Sequence, residues 1–389
     1  MLGCIERRQG ERISPENMKN AKLKLNLNAL YQNAKYLMDH TDNGVIAVVK
    51  NNGYNFGLEK AVKTFYMAGI RAFATTSLKE AVKIRELYSD VTVIMLNPDT
   101  DFEVLRKYNI SCSIANLQWL KKNAPEMSGI KWHLEWAGFM RRSGCTTEKE
   151  FMDALEFADR NGIEIEGIWT HFAWADEFDK NEMYEHEKSN WLSLLDKVLK
   201  KYDFKFIHAQ NSASFCRDSK LENHTHIRTG IMLYGCPGYE GWDYQGKIHH
   251  ALELTASVIA VNHLNEGESI GYCSSYTARQ NTSLPSSIRP YFNNVAVINM
   301  GYGDGLLRKR TKGHDVIING KRYPLVSMMM SHTVAVVDDD VKPGDTVWFY
   351  GDDIPVFEFT YKGVGANSEQ ISALNFNSLD VDYIEVENL

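Results

Sequence analysis

The chain has 389 residues, of which 44% are hydrophobic and 24% charged, and its formal net charge is −7. The length favours two domains, and the composition is typical of a soluble globular protein. A nucleic-acid binder usually carries a basic stripe, which is not visible here, and no apolar run approaches the roughly 20 residues that span a bilayer. The N-terminal segment lacks an apolar signal core. We therefore expect a cytoplasmic protein with neither a nucleic-acid nor a membrane partner.

About eight short apolar or β-branched runs lie between residues 20 and 235, and amphipathic segments separate them. Leu78–Leu87 and Lys149–Arg160 have the three- and four-residue spacing of helices. Alternating strands and helices predict a parallel sheet, and eight units in this length favour a (β/α)8 barrel over an open sheet. The predicted strands are Val45–Val49, Ala72–Thr75, Val91–Leu96, Ile110–Ile114, Lys131–Glu135, Ile163–His171, Phe204–Ala209 and Ile231–Gly235.

After about residue 250 the helical periodicity fades, and short strands alternate with Gly, Pro and Asp turns. Polar turns such as Asn319-Gly320 predict hairpins. We therefore predict an α/β barrel at residues 1–250 and a separate, mainly β domain at residues 251–389. The strands predicted for this second domain include Ala256–Val261, Val295–Met300, Val316–Ile318, Thr333–Val337 and Thr346–Tyr350.

The six cysteines are scattered along the chain, and none forms a C-x-x-C pair. Neither a zinc site nor a disulfide framework is indicated, so we predict reduced, mostly buried thiols and no metal. The longest basic cluster, Arg308-Lys309-Arg310, is interpreted as a solvated loop.

Five residues suited to a binding site fall where predicted barrel strands end or turn: Lys50, Glu135, His171, Asn211 and Gly230. In a (β/α)8 barrel the chemistry takes place at the C-terminal ends of the strands. We therefore expect these residues to share one site.

Lys50 ends the apolar run Val45–Val49. Apolar surroundings lower the pKa of a lysine, which favours the neutral nucleophilic amine and suits Schiff-base chemistry. By position alone, a strand-end lysine that only reaches solvent is the more common case. The residues around Lys50 decide between the two interpretations.

Several sequence blocks, in this order along the chain, together resemble the motifs of alanine racemases that depend on pyridoxal 5′-phosphate (PLP). The resemblance extends from about residue 20 to residue 350 and so covers both predicted domains. The blocks are AVVKNNGYNFG at 47–57, WTHFA at 169–173, HAQNSA at 208–213, RTGI at 228–231, GESIGYCSSYTA at 267–278 and NMGYGDG at 299–305.

The resemblance implies a role for each matching residue of the barrel. Lys50 would carry PLP as a Schiff base, Tyr54 would donate to the cofactor phosphate, and His171 would stack on the pyridine ring. The other implied cofactor contacts are Leu96, Asn211, Ser212 and the backbone amides of Gly230 and Ile231; exposed amides of this kind favour an anion.

Arg228 matches an arginine that faces the pyridine nitrogen in the family. An arginine stays protonated, so it discourages protonation of that nitrogen. Many PLP enzymes place a carboxylate there, which makes the ring a stronger electron sink. A weaker sink suits a racemase, because a long-lived carbanion invites transamination.

Two tyrosines of the second domain match family positions: Tyr272 would be a catalytic base and Tyr302 would line the entry to the site. Racemisation needs a base on each face of a planar carbanion. By resemblance, Lys50 serves the D side and Tyr272 the L side, and Tyr272 reaches the site from the neighbouring subunit of a head-to-tail dimer. The resemblance thus implies a homodimer with shared active sites.

Several positions depart from the family pattern. Glu135 stands where many members carry a carbamylated lysine, an anion that orients an arginine matched here by Arg142. Arg142 would contact the substrate carboxylate and the phenolic oxygen of the cofactor. A glutamate brings the negative charge without modification, although its side chain is shorter.

Further departures lie in the second domain. Counting from Pro324 places Ser331 at a position whose backbone amide contacts substrate, although a one-residue shift to Met330 is possible. His332 follows in an altered block, and Phe376 replaces a tyrosine that contacts the phosphate. These changes affect substrate identity more than cofactor binding.

The sequence thus predicts a racemase that interconverts L- and D-alanine and supplies D-alanine for peptidoglycan. The alternatives are a racemase of another amino acid, such as serine or lysine, a fold-related decarboxylase and a non-catalytic PLP carrier. Arg228 argues against the decarboxylase, which profits from a protonated pyridine. The second domain with its tyrosine argues against the carrier, because such carriers resemble the barrel alone.

Overall fold

The computed structural model describes residues 21–177, 179–279, 284–311 and 313–386. Contacts divide the chain into two compact units. The first unit comprises Asn26–Ala251 together with the described residues 384–386, and the second comprises Leu252–Tyr383 together with the described residues up to Leu25. Within the described ranges, no helix is both long enough and apolar enough to cross a membrane.

The described part of the chain begins with strand β1 (Lys22–Asn26) and then enters a parallel sheet of eight strands, with helices between them. The strands are β2 (Val45–Val48), β3 (Ala72–Thr75), β4 (Thr92–Met95), β5 (Ser111–Ile114), β6 (Trp132–Glu135), β7 (Ile165–Trp169), β8 (Phe206–His208) and β9 (Ile227–Thr229). The helices are α1 (Leu27–Asp39), α2 (Lys50–Tyr54), α3 (Leu58–Met67), α4 (Leu78–Leu87), α5 (Phe102–Lys107), α6 (Leu117–Asn123), α7 (Glu148–Arg160), α8 (Asn181–Val198) and α9 (Ser212–Asp218).

The sheet closes on itself as a barrel. Its strands pair in the order β8-β7-β6-β5-β4-β3-β2-β9. Backbone hydrogen bonds also join the first and last strands of this order, from Thr225 N to Ile207 O at 3.0 Å and from Arg228 N to Gln210 O at 2.8 Å. The predicted (β/α)8 barrel is therefore confirmed.

The barrel strands are short and almost wholly buried, because helices cover one face and the barrel interior lies against the other. Ile46, Val48, Ala74 and Ile94 pack together in the interior with Phe206. These apolar side chains explain why the strand predictions succeed without an alternating pattern.

One strand prediction is wrong. The apolar run Ile231–Gly235 is a series of turns rather than a strand, and the eighth barrel strand is Ile227–Thr229. The run is apolar because most of its side chains are buried beside the barrel, as shown by Met232, Leu233 and Tyr234. Burial without extended geometry mimics the pattern of a buried strand.

The second unit is built on an antiparallel sheet, so the prediction of a mainly β domain is confirmed. Its strands pair in the order β13-β16-β15-β14-β17-β10-β1-β18. In chain order they are β10 (Leu252–His263), β13 (Asn294–Ile298), β14 (Asp315–Ile318), β15 (Lys321–Met328), β16 (Thr333–Val336), β17 (Thr346–Tyr350) and β18 (Asp380–Ile384), with β11 (Ser269–Ile270) and β12 (Tyr276–Thr277) as a separate pair and short helices α10 (Val356–Tyr361) and α11 (Asn367–Ser372).

Strands β14 and β15 form the hairpin predicted from Asn319-Gly320. Ile318 pairs with Lys321, and the two residues between them have φ of 50° and 76°. Positive φ at both turn positions is the geometry that Asn-Gly favours, because it matches the twist of the paired strands.

Candidate active site

Lys50 is followed by an unusual backbone. Asn51, Asn52, Gly53, Tyr54 and Asn55 all have positive φ, between 50° and 70°. Left-handed geometry costs an ordinary L-residue roughly 1–2 kcal/mol, and glycine and asparagine are the residues that adopt it most readily. The sequence Asn-Asn-Gly after the lysine is therefore suited to a left-handed turn at the end of β2.

Two polar contacts of Asn52 hold this turn in place. The backbone amide of Asn52 donates to Glu80 Oε1 at 2.8 Å, and its side-chain oxygen accepts from the amide of Leu58 at 3.0 Å. Thr75 also donates its hydroxyl to Glu80. The turn is thereby tied to the start of α3 and to α4, which fixes the backbone that carries Lys50.

The lysine amine lies in an environment that favours its neutral form. Lys50 is half-buried, and this burial, followed by the positive charges of Arg142 and Arg228, lowers its pKa. A neutral amine is the form that attacks a carbonyl and that accepts a proton.

Tyr54, on the same turn, reaches the end of β9. A Cβ atom added at Gly230 would lie 2.3 Å from the Tyr54 hydroxyl oxygen, so only glycine allows this approach. The Tyr54 ring stacks on Tyr234 with centroids 4.7 Å apart, and burial raises the pKa of its hydroxyl to about 12. Tyr54 therefore remains a hydrogen-bond donor at neutral pH.

The hydroxyl of Ser212 belongs to the same corner. It lies 2.7 Å from the Thr229 hydroxyl, one residue before Gly230, and both serine and threonine are buried. Asn211 accepts from Ser214 N at 3.0 Å and donates to Phe172 O at 3.1 Å, so it caps α9 and ties it to the loop after β7. Ile231 follows Gly230 and is partly buried. This corner is thus a group of hydroxyls beside a close-approaching backbone, which suits an anion.

Leu96 lies one residue beyond β4, where it packs partly buried against the apolar interior of the barrel. It provides an apolar wall at the same end of the barrel as Lys50 and Gly230. The residues predicted at strand ends in the barrel therefore do lie at the carboxyl ends of their strands.

Arg228, on β9, is buried and held by acceptors. Its guanidinium donates to Thr170 O at 2.9 Å, to His171 Nδ1 at 2.9 Å and to His208 Nδ1 at 2.7 Å, and it lies over the ring of Trp169 at 4.7 Å. Burial lowers its pKa to about 9. The group therefore stays charged at neutral pH.

His171 is the partner through which Arg228 faces the site. Burial and the positive charges of Arg228, Arg142 and Lys50 lower the pKa of His171 well below its usual value. Because a guanidinium can only donate, the Nδ1 atom of His171 must carry no proton. The imidazole is therefore neutral and protonated on Nε2.

Glu135 and Arg142, at and after the end of β6, lie within ion-pair distance of each other. Glu135 is buried at the end of β6, and its Oε1 lies 3.7 Å from Arg142 NH2, while Ser143 donates its hydroxyl to Oε2. Burial raises the pKa of Glu135, and the contacts with Ser143 and Arg142 act against that rise. The Arg142 side chain is about half exposed, so the buried carboxylate lies beside a cation that solvent can reach.

In the second unit, three predicted residues come from segments that contact one another. The Tyr302 amide donates to Met329 O at 3.1 Å, and the adjacent Gly303 amide donates to Met330 O at 2.8 Å. Ser275 lies 2.6 Å from Ser327 across their hydroxyls, which joins the Tyr272 segment to the strand leading to Met330. Tyr272, Tyr302 and Ser331 are therefore carried by one group of loops.

This group of loops is exposed in the single chain. Tyr272 is 73% exposed and Met330 is 58% exposed, and Ser331 is exposed as well. His332 and Phe376 are partly buried.

Sequence reasoning missed three buried polar residues on barrel strands: His133 on β6, Glu166 on β7 and His208 on β8. His208 lies within hydrogen-bonding distance of both Arg228 and His133, and His133 lies within ion-pair distance of Glu166. The available signal was a polar residue inside each apolar strand, at positions where an interior of aliphatic side chains would be the rule.

Comparison with known proteins agrees with this architecture. A family model described as "Alanine racemase, N-terminal domain" matches residues 25–237, and one described as "Alanine racemase, C-terminal domain" matches residues 251–376. "Alanine racemase 2" of Staphylococcus aureus strain COL is 41% identical over 346 residues, which cover 87% of this chain and 92% of that protein.

Solved structures share the fold. The biosynthetic alanine racemase of Pseudomonas aeruginosa superposes with a TM-score of 0.82 at 21% identity, covering 95% of this chain and 100% of the other. The alanine racemase of Bartonella henselae, described with covalently bound pyridoxal phosphate, gives a TM-score of 0.80 at 22% identity, covering 94% and 100%. On the two family models and the relative at 41% identity, the chain belongs to the alanine racemase family.

Proposed function

We propose that the protein is a PLP-dependent enzyme that interconverts L-alanine and D-alanine. The observation that carries this proposal is the buried, charged Arg228, held toward His171 at the end of the barrel where Lys50 also lies. Family membership and the 41% identical relative named as an alanine racemase support the same conclusion.

The residues of the barrel fit PLP. The Tyr54 hydroxyl, the Ser212 hydroxyl and the backbone at Gly230 and Ile231 would hold the phosphate, in the corner that a Cβ atom at Gly230 would close. Leu96 would lie against the cofactor as an apolar wall, and Asn211 would position the segment that carries Ser212. When bound, PLP delocalises the electron pair that remains at Cα after the proton leaves.

Lys50 and Tyr272 would move that proton. Lys50 would accept it from Cα as the neutral amine, or return it as the ammonium group, on the D side; Tyr272 would accept it as the phenolate, or return it as the hydroxyl, on the L side. Racemisation requires both groups, because a proton returned to the face from which it came regenerates the starting isomer.

Arg228 would favour racemisation over other outcomes at Cα. A charged guanidinium can only donate a hydrogen bond, so it discourages a proton on the pyridine nitrogen that it faces. With that nitrogen unprotonated, the ring is a weaker electron sink. Decarboxylation and transamination gain from the opposite arrangement. The neutral His171 would stack on the ring while accepting from Arg228.

Arg142 would bind the substrate carboxylate and the phenolic oxygen of the cofactor. Glu135 lies close enough to orient it and supplies the negative charge directly. The backbone amide of Ser331, or of Met330 one residue earlier, would complete the carboxylate site, and Tyr302 would line its entry.

We further propose a homodimer in which Tyr272 acts in the active site of the other subunit. The exposure of Tyr272 and Met330 on one group of loops supports this proposal, because both side chains are accessible to another copy of the chain. In a two-fold dimer each copy would supply that surface to the other, building two equivalent sites. Each active site would then combine barrel residues of one subunit, from before about residue 250, with residues of the other subunit from after that boundary.

The proposed place of the reaction is the cytoplasm, where D-alanine is supplied for peptidoglycan. The unpaired cysteines Cys112, Cys145, Cys216 and Cys236 are buried, which suits a reducing compartment.

The test is to load the purified protein with PLP and follow the optical rotation of L-alanine, with L-serine and L-lysine as comparison substrates. We expect racemisation of alanine to be the fastest. Loss of optical purity with serine or lysine alone would replace alanine by that substrate, and no loss with any of them would refute the racemase assignment. Borohydride reduction should attach the cofactor to Lys50; attachment to another lysine would refute its role.

A further inference from the structure

A line of buried polar side chains runs through the interior of the barrel from the candidate active site. It begins at Arg228, whose NH1 atom lies 2.7 Å from His208 Nδ1. His208 Nε2 lies 3.1 Å from His133 Nδ1, and His133 Nε2 lies 3.5 Å from Glu166 Oε2. Arg228, both histidines and Glu166 are buried.

The line crosses the barrel from one end to the other. Arg228 faces the carboxyl ends of the strands through Thr170 and His171, which follow β7. Glu166 is the second residue of β7, at the opposite end of that strand. Its Oε1 lies 3.3 Å from the Nζ atom of Lys205 and 3.6 Å from that of Lys131, and both lysines are partly exposed.

The chemistry of the two ends fixes the direction of the two hydrogen bonds and the group that His133 presents to Glu166 across the final 3.5 Å contact, which is too long and poorly aligned to be a hydrogen bond itself. A guanidinium only donates, so His208 Nδ1 accepts and its proton lies on Nε2. That Nε2 therefore donates to His133 Nδ1, which leaves the proton of His133 on Nε2, facing Glu166. A carboxylate only accepts, so the second end agrees with the first.

The charge state of each member is consistent with this direction. Burial lowers the pKa values of His133 and His208, so both imidazoles are neutral. Burial acts to raise the pKa of Glu166, but the contact with His133, the hydrogen bond from Ser111 and the charge of Lys205 together lower it to about 2. Ser111 donates its hydroxyl to Glu166 at 2.7 Å. Glu166 is thus a carboxylate at any pH at which the enzyme would work.

We propose that Glu166 is a positioning residue: through His133 and His208, both fixed in the Nε2-protonated tautomer, it orients the Arg228 guanidinium toward His171. The inference rests on the cofactor-facing role proposed for Arg228. A carboxylate at one end and a guanidinium at the other polarise the two imidazoles in the same sense, which strengthens each bond of the line.

The consequence concerns rate more than binding. Without the carboxylate at position 166, the buried Nε2–H group of His133 loses the negative charge that faces it at 3.5 Å, which removes the preference for a proton on that nitrogen. His133 then gains by turning or by moving its proton, and His208 loses the fixed donor arrangement that holds Arg228. Arg228 remains charged and in place, but its orientation toward His171 relaxes.

The test is nitrogen-15 NMR of the histidine side chains in the full-length protein, with and without PLP, assigned with His133→Asn and His208→Asn. Each of the two histidines should show a protonated Nε2 and a bare Nδ1. Protonation of Nδ1 in either one, or of both nitrogens, would overturn the proposal. This measurement stands even if the protein does not racemise alanine, which would refute the proposed function instead.

Two variants of Glu166 separate positioning from mere packing. Glu166→Leu removes the acceptor and should mix the histidine tautomers while lowering kcat by about tenfold with KM unchanged, an effect typical of losing a residue behind a functional group. Glu166→Gln keeps an acceptor and should retain both tautomers and most of kcat. Unchanged tautomers and kcat in Glu166→Leu would contradict the proposal. If Glu166→Leu does not fold, the wild-type tautomers and Glu166→Gln still decide it.

His224→Asn is the matched control. His224 is another buried barrel histidine, whose Nε2 accepts from Trp191 at 2.8 Å, and it lies outside the line. The substitution should lower stability as His133→Asn does, but it should leave the signals of His133 and His208 and the value of kcat unchanged. If kcat falls equally in His224→Asn and His133→Asn, then loss of any buried histidine in this unit lowers kcat. The positioning role proposed for Glu166, His133 and His208 would then be contradicted.

Discussion

The two units carry candidate site residues in opposite states. In the barrel, Arg228 is buried and donates hydrogen bonds to His208 and His171. In the second unit, Tyr272 and Met330 are largely exposed on a group of loops. The candidate residues of the barrel are therefore held by contacts within the chain, whereas those of the second unit are open to another molecule.

The difference suggests a division of labour. In the proposed function, the barrel half would fix the cofactor and set its electronic character, because groups already held in place need little reorganisation when a ligand binds. The exposed half would supply a second base, which a homodimer would bring in from the other copy. Substitutions in the barrel should therefore alter cofactor binding and chemistry, and those in the second unit should alter assembly or one proton transfer.

The largest effect is expected at Lys50. Lys50→Ala removes both the covalent attachment and one base, so alanine racemisation should fall by at least about 10³-fold, within the range for loss of a proton-transfer group. Lys63→Ala, at an exposed lysine of α3, is the control and should leave activity unchanged. Substantial residual racemisation by Lys50→Ala would show that the barrel half is not the one that performs the chemistry.

A substitution at Gly230 tests the phosphate corner. In Gly230→Ala the new Cβ atom would meet the Tyr54 hydroxyl at 2.3 Å, so the turn or the tyrosine must move. Overpacking of this kind costs about 1–3 kcal/mol, and PLP affinity should fall by about tenfold or more. Titration of the apoprotein with PLP measures the affinity.

Gly241→Ala is the control for that titration, because its added Cβ would meet only the side chain of Tyr239, at 3.1 Å. PLP affinity should stay at the wild-type value in this variant. An unaltered affinity in Gly230→Ala would show that the phosphate lies elsewhere.

Glu135→Gln should raise KM for alanine by about tenfold through looser orientation of Arg142, with little change in kcat. Burial raises the pKa of Glu135, so the wild-type carboxylate is lost as the pH falls through that raised value, and KM should rise on the acid side. The variant should lack this dependence. Because Glu135 needs no modification, removing CO2 should change nothing; a strong bicarbonate dependence of the native enzyme would contradict this role.

The smallest effect is expected in the hairpin of the second unit. Gly320 has φ of 76°, so Gly320→Ala should lower the free energy of unfolding by roughly 1 kcal/mol, as measured by denaturant titration. PLP affinity should be unchanged, since the hairpin is not part of the barrel. A loss of PLP affinity in Gly320→Ala would contradict the account, which expects cofactor binding to depend on the barrel and not on the second unit.

Much of the fold follows from the sequence because barrel strands are apolar runs with functional residues at their ends. That rule places Lys50, Glu135 and His171 correctly at carboxyl ends of strands. It fails at Ile231–Gly235, where burial occurs without extended backbone. The separate prediction of a solvated basic cluster holds for Arg308 and Lys309, which are exposed, but is wrong for Arg310, which is fully buried with its guanidinium 3.2 Å from the centroid of the Phe359 ring.

The interior of the site was less accessible to sequence reasoning. His133, Glu166 and His208 are separated by 33 and 42 positions in the chain, and only closure of the barrel brings them into line. The left-handed turn at Asn51–Asn55 likewise depends on Glu80, which lies on another helix. Hydrogen bonds between distant segments leave no periodic pattern in the sequence.

The most direct test of the shared-site account is complementation between Lys50→Ala and Tyr272→Ala. Each variant alone should be nearly inactive. When they are mixed and allowed to exchange subunits, heterodimers should contain one intact site and one doubly altered site, and activity per subunit should recover toward about a quarter of the wild-type value if pairing is random in a two-fold dimer. If subunit exchange is demonstrated and activity does not return, Tyr272 does not act across the interface.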